Sequence, residues 1–120
     1  MDDDLFGVSE AAAKPHHAGH RDRLRERARR GGLDALPDYE TLELFLFRSI
    51  PRQDVKPLAK ELLARFGSIS AALAAPEEKL LRVHAFDSKG RKVSIGPETA
   101  LDLRLLHEMA RRVAAEPLKK

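Results

Sequence analysis

The chain has 120 residues, of which 42% are hydrophobic, so it is long enough for one domain with one modest core. It contains no cysteine, which excludes a disulfide framework and thiolate metal sites. Its formal net charge of +3 is mildly basic, which permits an acidic partner without requiring one.

The start of the chain carries no sign of a membrane or secretory segment. There is no apolar run of the roughly 18 residues that a membrane span needs. Met1-Asp2-Asp3-Asp4 is acidic where a signal peptide has a positive region, so we expect a cytoplasmic protein. Residues 1–19 mix acids, Gly, Ala, Pro and His without helical periodicity, which predicts a flexible tail.

The first predicted helix, over residues 20–30, is rich in arginine. Leu24 and Ala28 form its thin apolar stripe, and the two glycines that follow supply a left-handed C-cap. Six arginines and only two acids lie between positions 21 and 30. Because arginine binds phosphate in a bidentate manner, we name Arg23, Arg27 and Arg30 as candidate nucleic-acid ligands. The alternative is a solvated face held by ion pairs.

Four more helices are predicted in the middle of the chain, each of which begins at a capping residue or a proline. Helix 2 begins near Asp38 and is stopped by Pro51, helix 3 is capped by Asp54 and ended by Gly67, helix 4 is capped by Ser68 and runs through Ala74, and helix 5 starts at Pro76 and ends near Val83.

The segment at about 84–95 lacks helical periodicity. Asp87-Ser88-Lys89-Gly90 is a turn signal, so we expect a small β-hairpin or an exposed loop. Gly96-Pro97-Glu98 then opens a last helix that runs to about Ala114. Its expected inner face consists of Leu103, Leu106, Ala110 and Val113. Short helices joined by tight turns predict an all-α fold, a compact bundle of five to six helices.

The start of the last helix is the first candidate for a phosphate contact. Ser94-Ile95-Gly96-Pro97-Glu98-Thr99-Ala100 is similar to the second half of a helix-hairpin-helix. A glycine turn admits a phosphate to backbone N–H groups, and the helix N-terminus that follows is positive. The alternative is an ordinary Gly-Pro helix start. The candidate residues here are Ser94, Ile95, Gly96 and Thr99, with Arg91 and Lys92 close by.

The second candidate, Ile50-Pro51-Arg52-Gln53-Asp54-Val55, has the form of a degenerate first hairpin. It lacks glycine, so we expect it to serve in packing.

The order of these motifs resembles the N-terminal part of the RadC family, a family labelled as DNA repair. The matching runs are residues 20–27, 32–40, 50–59, 63–68, 80–83 and 95–100. The resemblance implies a tandem helix-hairpin-helix domain over about 20–116. In that family a domain similar to JAMM-type metalloproteases follows, with a His-x-His and Asp zinc motif. Nothing in this sequence matches that motif, so we expect a non-enzymatic chain without a cofactor.

The sequence departs from the family pattern at the second hairpin. About nine residues, 85–93, are inserted, and Ser94 stands where a glycine is expected. A serine with positive φ would be strained by about 1 kcal/mol, so either the turn has another shape or the phosphate site is lost. The insert contains Lys89, Arg91 and Lys92, which suggests a basic finger.

Two functions remain open. The first is a module that contacts the DNA backbone weakly, without sequence preference and with strong dependence on salt. The second is a protein-interaction or scaffold domain whose degenerate hairpin no longer binds DNA. An exposed apolar patch would favour the second function.

Overall fold

The structure, a computed structural model, describes residues 16–118. These residues form six α-helices, one short 3₁₀ turn and a two-stranded antiparallel sheet. The mainly α fold that the sequence predicted is confirmed, and of the two forms expected for the insert, the hairpin is present. The elements are α1 His16–Gly31, a 3₁₀ turn Leu33–Ala35, α2 Asp38–Leu46, α3 Lys56–Phe66, α4 Ile69–Ala74, α5 Glu77–Leu80, β1 His84–Phe86, β2 Lys92–Ser94 and α6 Pro97–Ala115.

The chain divides into two compact units, Met1–Pro37 and Asp38–Lys120. The first unit contains α1, which begins four residues before the predicted start. Residues 16–19, which the sequence assigned to the tail, are therefore helical, because that short stretch has no apolar periodicity to reveal a helix. Residues 1–15 lie outside the described part of the chain. At the other end Gly32 has φ 86° and donates its N–H to Ala28 O at 3.0 Å, so the predicted C-cap is confirmed.

Capping residues mark both ends of α3 and the start of α4. The N-cap of α3 is Val55, not the predicted Asp54, which lies one residue earlier and accepts the N–H of Lys56 with its carboxylate at 3.1 Å. Gly67 ends this helix with φ 92°, and Ser68 Oγ caps α4 by accepting the N–H of Ala71 at 3.0 Å. Helices α2 and α5 end before Pro51 and Val83, because turns begin several residues ahead of these predicted ends.

The core of the second unit is formed by aliphatic side chains of α2, α3, α5 and α6, together with the residues around the β-hairpin. Helix α3 contacts α2, α4 and β1, while α6 contacts α4 and α5. Each fully buried aliphatic side chain stabilises the fold by about 1.5–3 kcal/mol relative to exposure. Those with almost no exposed surface are Leu46, Val55, Leu58, Leu62, Leu80, Val83, Val93, Ile95 and Leu103.

Helix α6 is the element whose predicted inner face is corrected most. Leu103 is buried and Leu106 is half-buried, as expected, but Ala110 and Val113 are exposed. Every described residue from 109 to 118 is exposed. The prediction failed there because helical spacing shows only which side chains share one face of a helix. Burial of that face also requires a neighbouring element that packs on it. Helix α6 extends past the elements that cover its first half, so its second half has no such neighbour among the described residues.

Candidate nucleic-acid interface

The inserted segment is a β-hairpin whose two ends lie side by side. Strands β1 and β2 pair antiparallel, with His84 opposite Ser94 and Phe86 opposite Lys92. At the base of the hairpin, Ile95 donates its N–H to Val83 O at 3.1 Å. The end of the α5 segment and the start of the α6 segment are therefore held together at the base of the insert, because residues 83 and 95 are joined directly by a hydrogen bond.

Ser94 does not occupy the strained position that the family pattern assigned to it. It lies in β2, and Gly96 is also extended, with φ −88° and ψ 179°. Within the described residues Arg52 is the one non-glycine residue with positive φ, at 70°. The expected strain at Ser94 is therefore absent, because the insert moves the chain reversal to its tip, where Gly90 has φ 77°.

A buried carboxylate organises the tip of the hairpin. Asp87 Oδ1 accepts the N–H groups of Arg91 at 2.8 Å and Lys89 at 2.9 Å. Asp87 Oδ2 accepts Arg91 Nε at 3.1 Å. The pKa of Asp87 is lowered, chiefly by the hydrogen bond from the Arg91 N–H. Burial, the second-largest effect, raises the pKa, and the Lys89 N–H and the Arg91 side chain lower it further. Part of the Arg91 charge is thus engaged within the hairpin and is less available to a phosphate.

The two segments that the sequence singled out meet at one groove. Thr99 Oγ1 donates to Ser49 Oγ at 2.9 Å, and Gln53 Nε2 donates to Lys92 O at 3.3 Å. The groove has a volume of about 300 Å³. It is lined by Ser49, Ile50, Pro51 and Gln53 from the connection between α2 and α3, by Ser94 at the end of β2, and by Gly96, Pro97, Glu98 and Thr99 at the start of α6.

The N-terminus of α6 opens onto this groove without a side-chain cap. Gly96 is the N-cap residue, and the first backbone bond of the helix runs from Ala100 N–H to Gly96 O at 2.9 Å. The N–H groups of Glu98 and Thr99 precede that bond and have no partner within the helix. A Cβ built on Gly96 would meet no atom within 4 Å, so there is room for a ligand. These N–H groups and the helix dipole favour an anion, whereas the carboxylate of Glu98 opposes one.

Arg52 is the site residue that the sequence reasoning undervalued. It is exposed at the turn between α2 and α3, with the positive φ that a glycine would adopt freely. Because its neighbour Gln53 bonds to Lys92 O, Arg52 and the exposed Lys92 lie on segments that are held together. The sequence did contain a signal for Arg52. The degenerate hairpin at residues 50–55 lacks a glycine, so an arginine stands where the chain reverses.

The remaining candidates of this group have different exposures. Ile95 and Thr99 are 2% and 3% exposed, so their side chains serve the fold. Ser94, Arg91 and Lys92 are exposed. Of the side chains named here from the sequence, Lys92 therefore presents the most accessible cation beside the groove, because Arg91 is bonded to Asp87.

The arginine face of α1 belongs to the first unit. Arg23, Arg27 and Arg30 are exposed, and their spacing puts them on one side of the helix, away from the buried Leu24 and Ala28. Arg30 Nε donates to Glu26 Oε2 at 2.7 Å, so part of the charge is paired, as the solvated-face alternative expects. The face therefore combines local ion pairs with exposed guanidinium groups.

No family model matches this chain, and no solved structure matches it. Between residues 16 and 118, no helix has the length and apolar character required to cross a membrane. The same residues contain no group of three or more His, Asp or Glu side chains arranged to hold a metal ion.

Proposed function

We propose that this chain is a non-enzymatic module that contacts the phosphate backbone of DNA without sequence preference, as a RadC-like tandem helix-hairpin-helix domain. The observation that carries the proposal is the shared groove. It joins the uncapped N-terminus of α6 to the turn that contains Ser49 and Gln53, and Arg52 and Lys92 lie on the two segments that form it.

A phosphate in this groove would be bound mainly by fixed backbone groups. The N–H groups of Glu98 and Thr99 are directed by the helix, and Ser49 still has its hydroxyl hydrogen to donate after it accepts from Thr99. Such contacts read the backbone and carry no base information. With few phosphates engaged, the dissociation constant should lie near the micromolar range at moderate salt, within the roughly 10⁻⁴ to 10⁻⁶ M typical of non-specific binding.

The test is fluorescence anisotropy of labelled blunt duplex DNA at low and at physiological salt. We expect binding that weakens steeply as the salt concentration rises. The double variant Arg52→Ala and Lys92→Ala should bind more weakly, and the slope of its log binding constant against log salt concentration (the salt slope) should be smaller in magnitude by about 1–2. Arg65→Ala is the matched control, because it removes an exposed arginine of α3 that pairs with Glu61 at 3.2 Å, outside the groove. Absence of binding at low salt with the protein in large excess would refute the proposal.

The arginine face of α1 is tested separately. A variant carrying Arg23→Ala, Arg27→Ala and Arg30→Ala keeps the groove intact, so it reports only on the first unit. If this face also binds phosphates, the salt slope falls again by about 1 for each phosphate that the variant no longer neutralises. An unchanged slope would assign the face to solvent and to its own ion pairs.

A second candidate function, self-association, is favoured by the outer side of α6. Leu101, Leu105, Met109 and Val113 recur every four residues and are between 50% and 68% exposed. Glu108, whose pKa Arg111 and Arg112 lower to about 2, lies beside this row. Rows spaced by four residues pack against each other in the commonest class of helix pairs. We therefore infer that a second copy of the chain covers this row.

Sedimentation equilibrium tests the second candidate directly. We expect a dimer at tens of micromolar that Leu105→Glu converts to a monomer, because the substitution puts a charge into the centre of the row. Arg65→Ala again serves as the control. A wild-type chain that stays monomeric at millimolar concentration would contradict self-association through α6.

A further inference from the structure

The solvent face of the β-hairpin carries an exposed aromatic ring among basic side chains. We propose that this face, formed by His84, Phe86, Lys92 and Ser94, is a platform on which an unpaired nucleobase stacks. The inference deepens the proposed function and rests on it in one respect, because it takes nucleic acid as the partner.

The pairing of the two strands defines the platform. His84 is opposite Ser94, Ala85 is opposite Val93, and Phe86 is opposite Lys92. Successive side chains on a strand point to opposite faces, so Ala85 and the buried Val93 face inward. The other four side chains are all exposed and share the outer face. The platform is therefore a single side of the hairpin.

Phe86 differs in its exposure from the other aromatic residues of the described chain. It is 58% exposed, whereas Tyr39, Phe45, Phe47 and Phe66 are buried or half-buried. Its ring stands edge-on to the ring of His84, with centroids 5.7 Å apart and planes at 85°. The packing of the fold does not account for a phenylalanine on this outer face. The ring is thus available to stack, in an orientation that a neighbouring ring supports.

The charges around the ring favour a nucleotide over an apolar protein surface. Between positions 82 and 94 there are four cations and one carboxylate, and that carboxylate, Asp87, is bonded to Arg91. Lys92 is directly across the strand pair from Phe86, where Cβ atoms lie about 4.5–5.5 Å apart. A base on the ring would therefore bring its own phosphate within reach of an ammonium group. Aromatic rings bordered by cations are how proteins hold single strands.

The platform is held rigid at both ends. Asp87 fixes the tip through the N–H groups of Lys89 and Arg91, and the Ile95 to Val83 hydrogen bond closes the base. Gln53 also bonds to Lys92 O from the neighbouring turn. Little ordering is then required on binding, which favours affinity. Because bases inside a duplex are covered on both faces, the ligand must be a single strand, a frayed end or an extruded base.

The absence of tryptophan from the sequence allows a direct test. The Phe86→Trp variant has a single indole at the platform, and its fluorescence is followed during titration with a decamer of thymidylate. We expect quenching by the thymidylate decamer, no quenching by an abasic decamer with the same phosphates, and much weaker quenching by a blunt duplex, whose bases are unpaired only where its ends fray. Equal quenching by the abasic strand would overturn the proposal, because it would show that charge alone draws the strand there.

Removal of the Phe86 ring gives an independent test that does not require the tryptophan probe. Phe86→Ala should weaken binding of the thymidylate decamer by about 5- to 150-fold, the loss that one stacked base produces, and should leave blunt-duplex affinity nearly unchanged. Leu33→Ala, which truncates an exposed apolar side chain of the first unit, should change neither. Since Phe86 points to solvent, circular dichroism of the Phe86→Ala variant should match the wild-type spectrum.

Different results refute the two proposals. Binding of the thymidylate decamer without binding of the blunt duplex would refute the phosphate site in the groove and support the stacking platform. Binding of the duplex, together with an unchanged decamer affinity in Phe86→Ala, would refute the platform and support the groove. Absence of both kinds of binding would refute both proposals.

Discussion

The substitution Gly96→Asp should stabilise the fold while it weakens DNA binding. Gly96 is the N-cap of α6 and already has extended dihedral angles, φ −88° and ψ 179°, which an aspartate adopts without strain. Its carboxylate can accept the N–H of Glu98 or Thr99 and lie at the positive end of the helix. Capping adds a few tenths of a kcal/mol over glycine and the helix dipole about 0.3–1 kcal/mol, so we expect a gain of about 1 kcal/mol.

The same carboxylate would occupy the groove where the phosphate is proposed to bind. Two unit charges about 4 Å apart in water repel by about 1 kcal/mol, and the phosphate also loses N–H donors that are now engaged. We therefore expect affinity for a blunt duplex to fall at least about tenfold and the salt slope to fall by about 1. Ser70→Asp, at an exposed position of α4 outside the groove, adds the same charge and should have little effect.

Thermal unfolding and duplex anisotropy are measured on the same samples. We expect Gly96→Asp to raise Tm by about 4 °C or more, as a gain near 1 kcal/mol does in a domain of this size, while its duplex affinity falls. Gly96→Asn separates the two causes, because it caps the helix without adding charge. A variant that is more stable and still binds the duplex with unchanged affinity would refute the assignment of the phosphate to the N-terminus of α6.

Three other side chains give separate tests of the core, the groove and the hairpin tip. Leu103→Ala, in the core, should lower the free energy of unfolding in urea by about 2–5 kcal/mol, while the exposed Leu33→Ala changes it little. Glu98→Gln should raise duplex affinity about threefold in anisotropy titrations, because it removes a carboxylate that opposes the phosphate; lower affinity would contradict that placement. The pKa of Asp87 is lowered on folding, so its stabilising effect is full above its ordinary value of 3.8 and disappears as pH falls through the lower folded value. Asp87→Asn should remove that part of the pH dependence in thermal melts between about pH 5 and pH 2; an unchanged profile would show that the carboxylate does not hold the hairpin tip.

Local signals allowed the sequence to predict most helix ends in the second unit. Gly67 and Ser68 act through their own backbone freedom and their own side-chain oxygen, so their effect is visible without knowledge of the fold. The exposure of Val113 was not predictable in this way, because it depends on how far the elements beside α6 extend. Glu43 is a similar case, since a carboxylate in a helix is ordinarily exposed and this one is fully buried.

The candidate site was predicted in part. The sequence located both segments that border the groove, but it could not show that Ser49 bonds to Thr99, fifty positions away. It did predict a turn at Asp87-Ser88-Lys89-Gly90, and the hairpin reverses there, with Gly90 at φ 77°. It could not show that the hairpin exposes Phe86, because the orientation of that side chain depends on strand register. Register is set by the turn and by cross-strand pairs, which a short irregular segment does not reveal.

The most direct measurement of the central claim is a ¹⁵N–¹H correlation spectrum recorded while a blunt DNA duplex is added at low salt. We expect the largest shift changes at the backbone N–H groups of Gly96, Glu98 and Thr99, with smaller changes at Arg52 and Lys92. All of these changes should become smaller at physiological salt, because the phosphate contacts weaken. Shift changes that spare the start of α6, or a spectrum that does not change with the duplex in excess, would contradict a phosphate site in the groove.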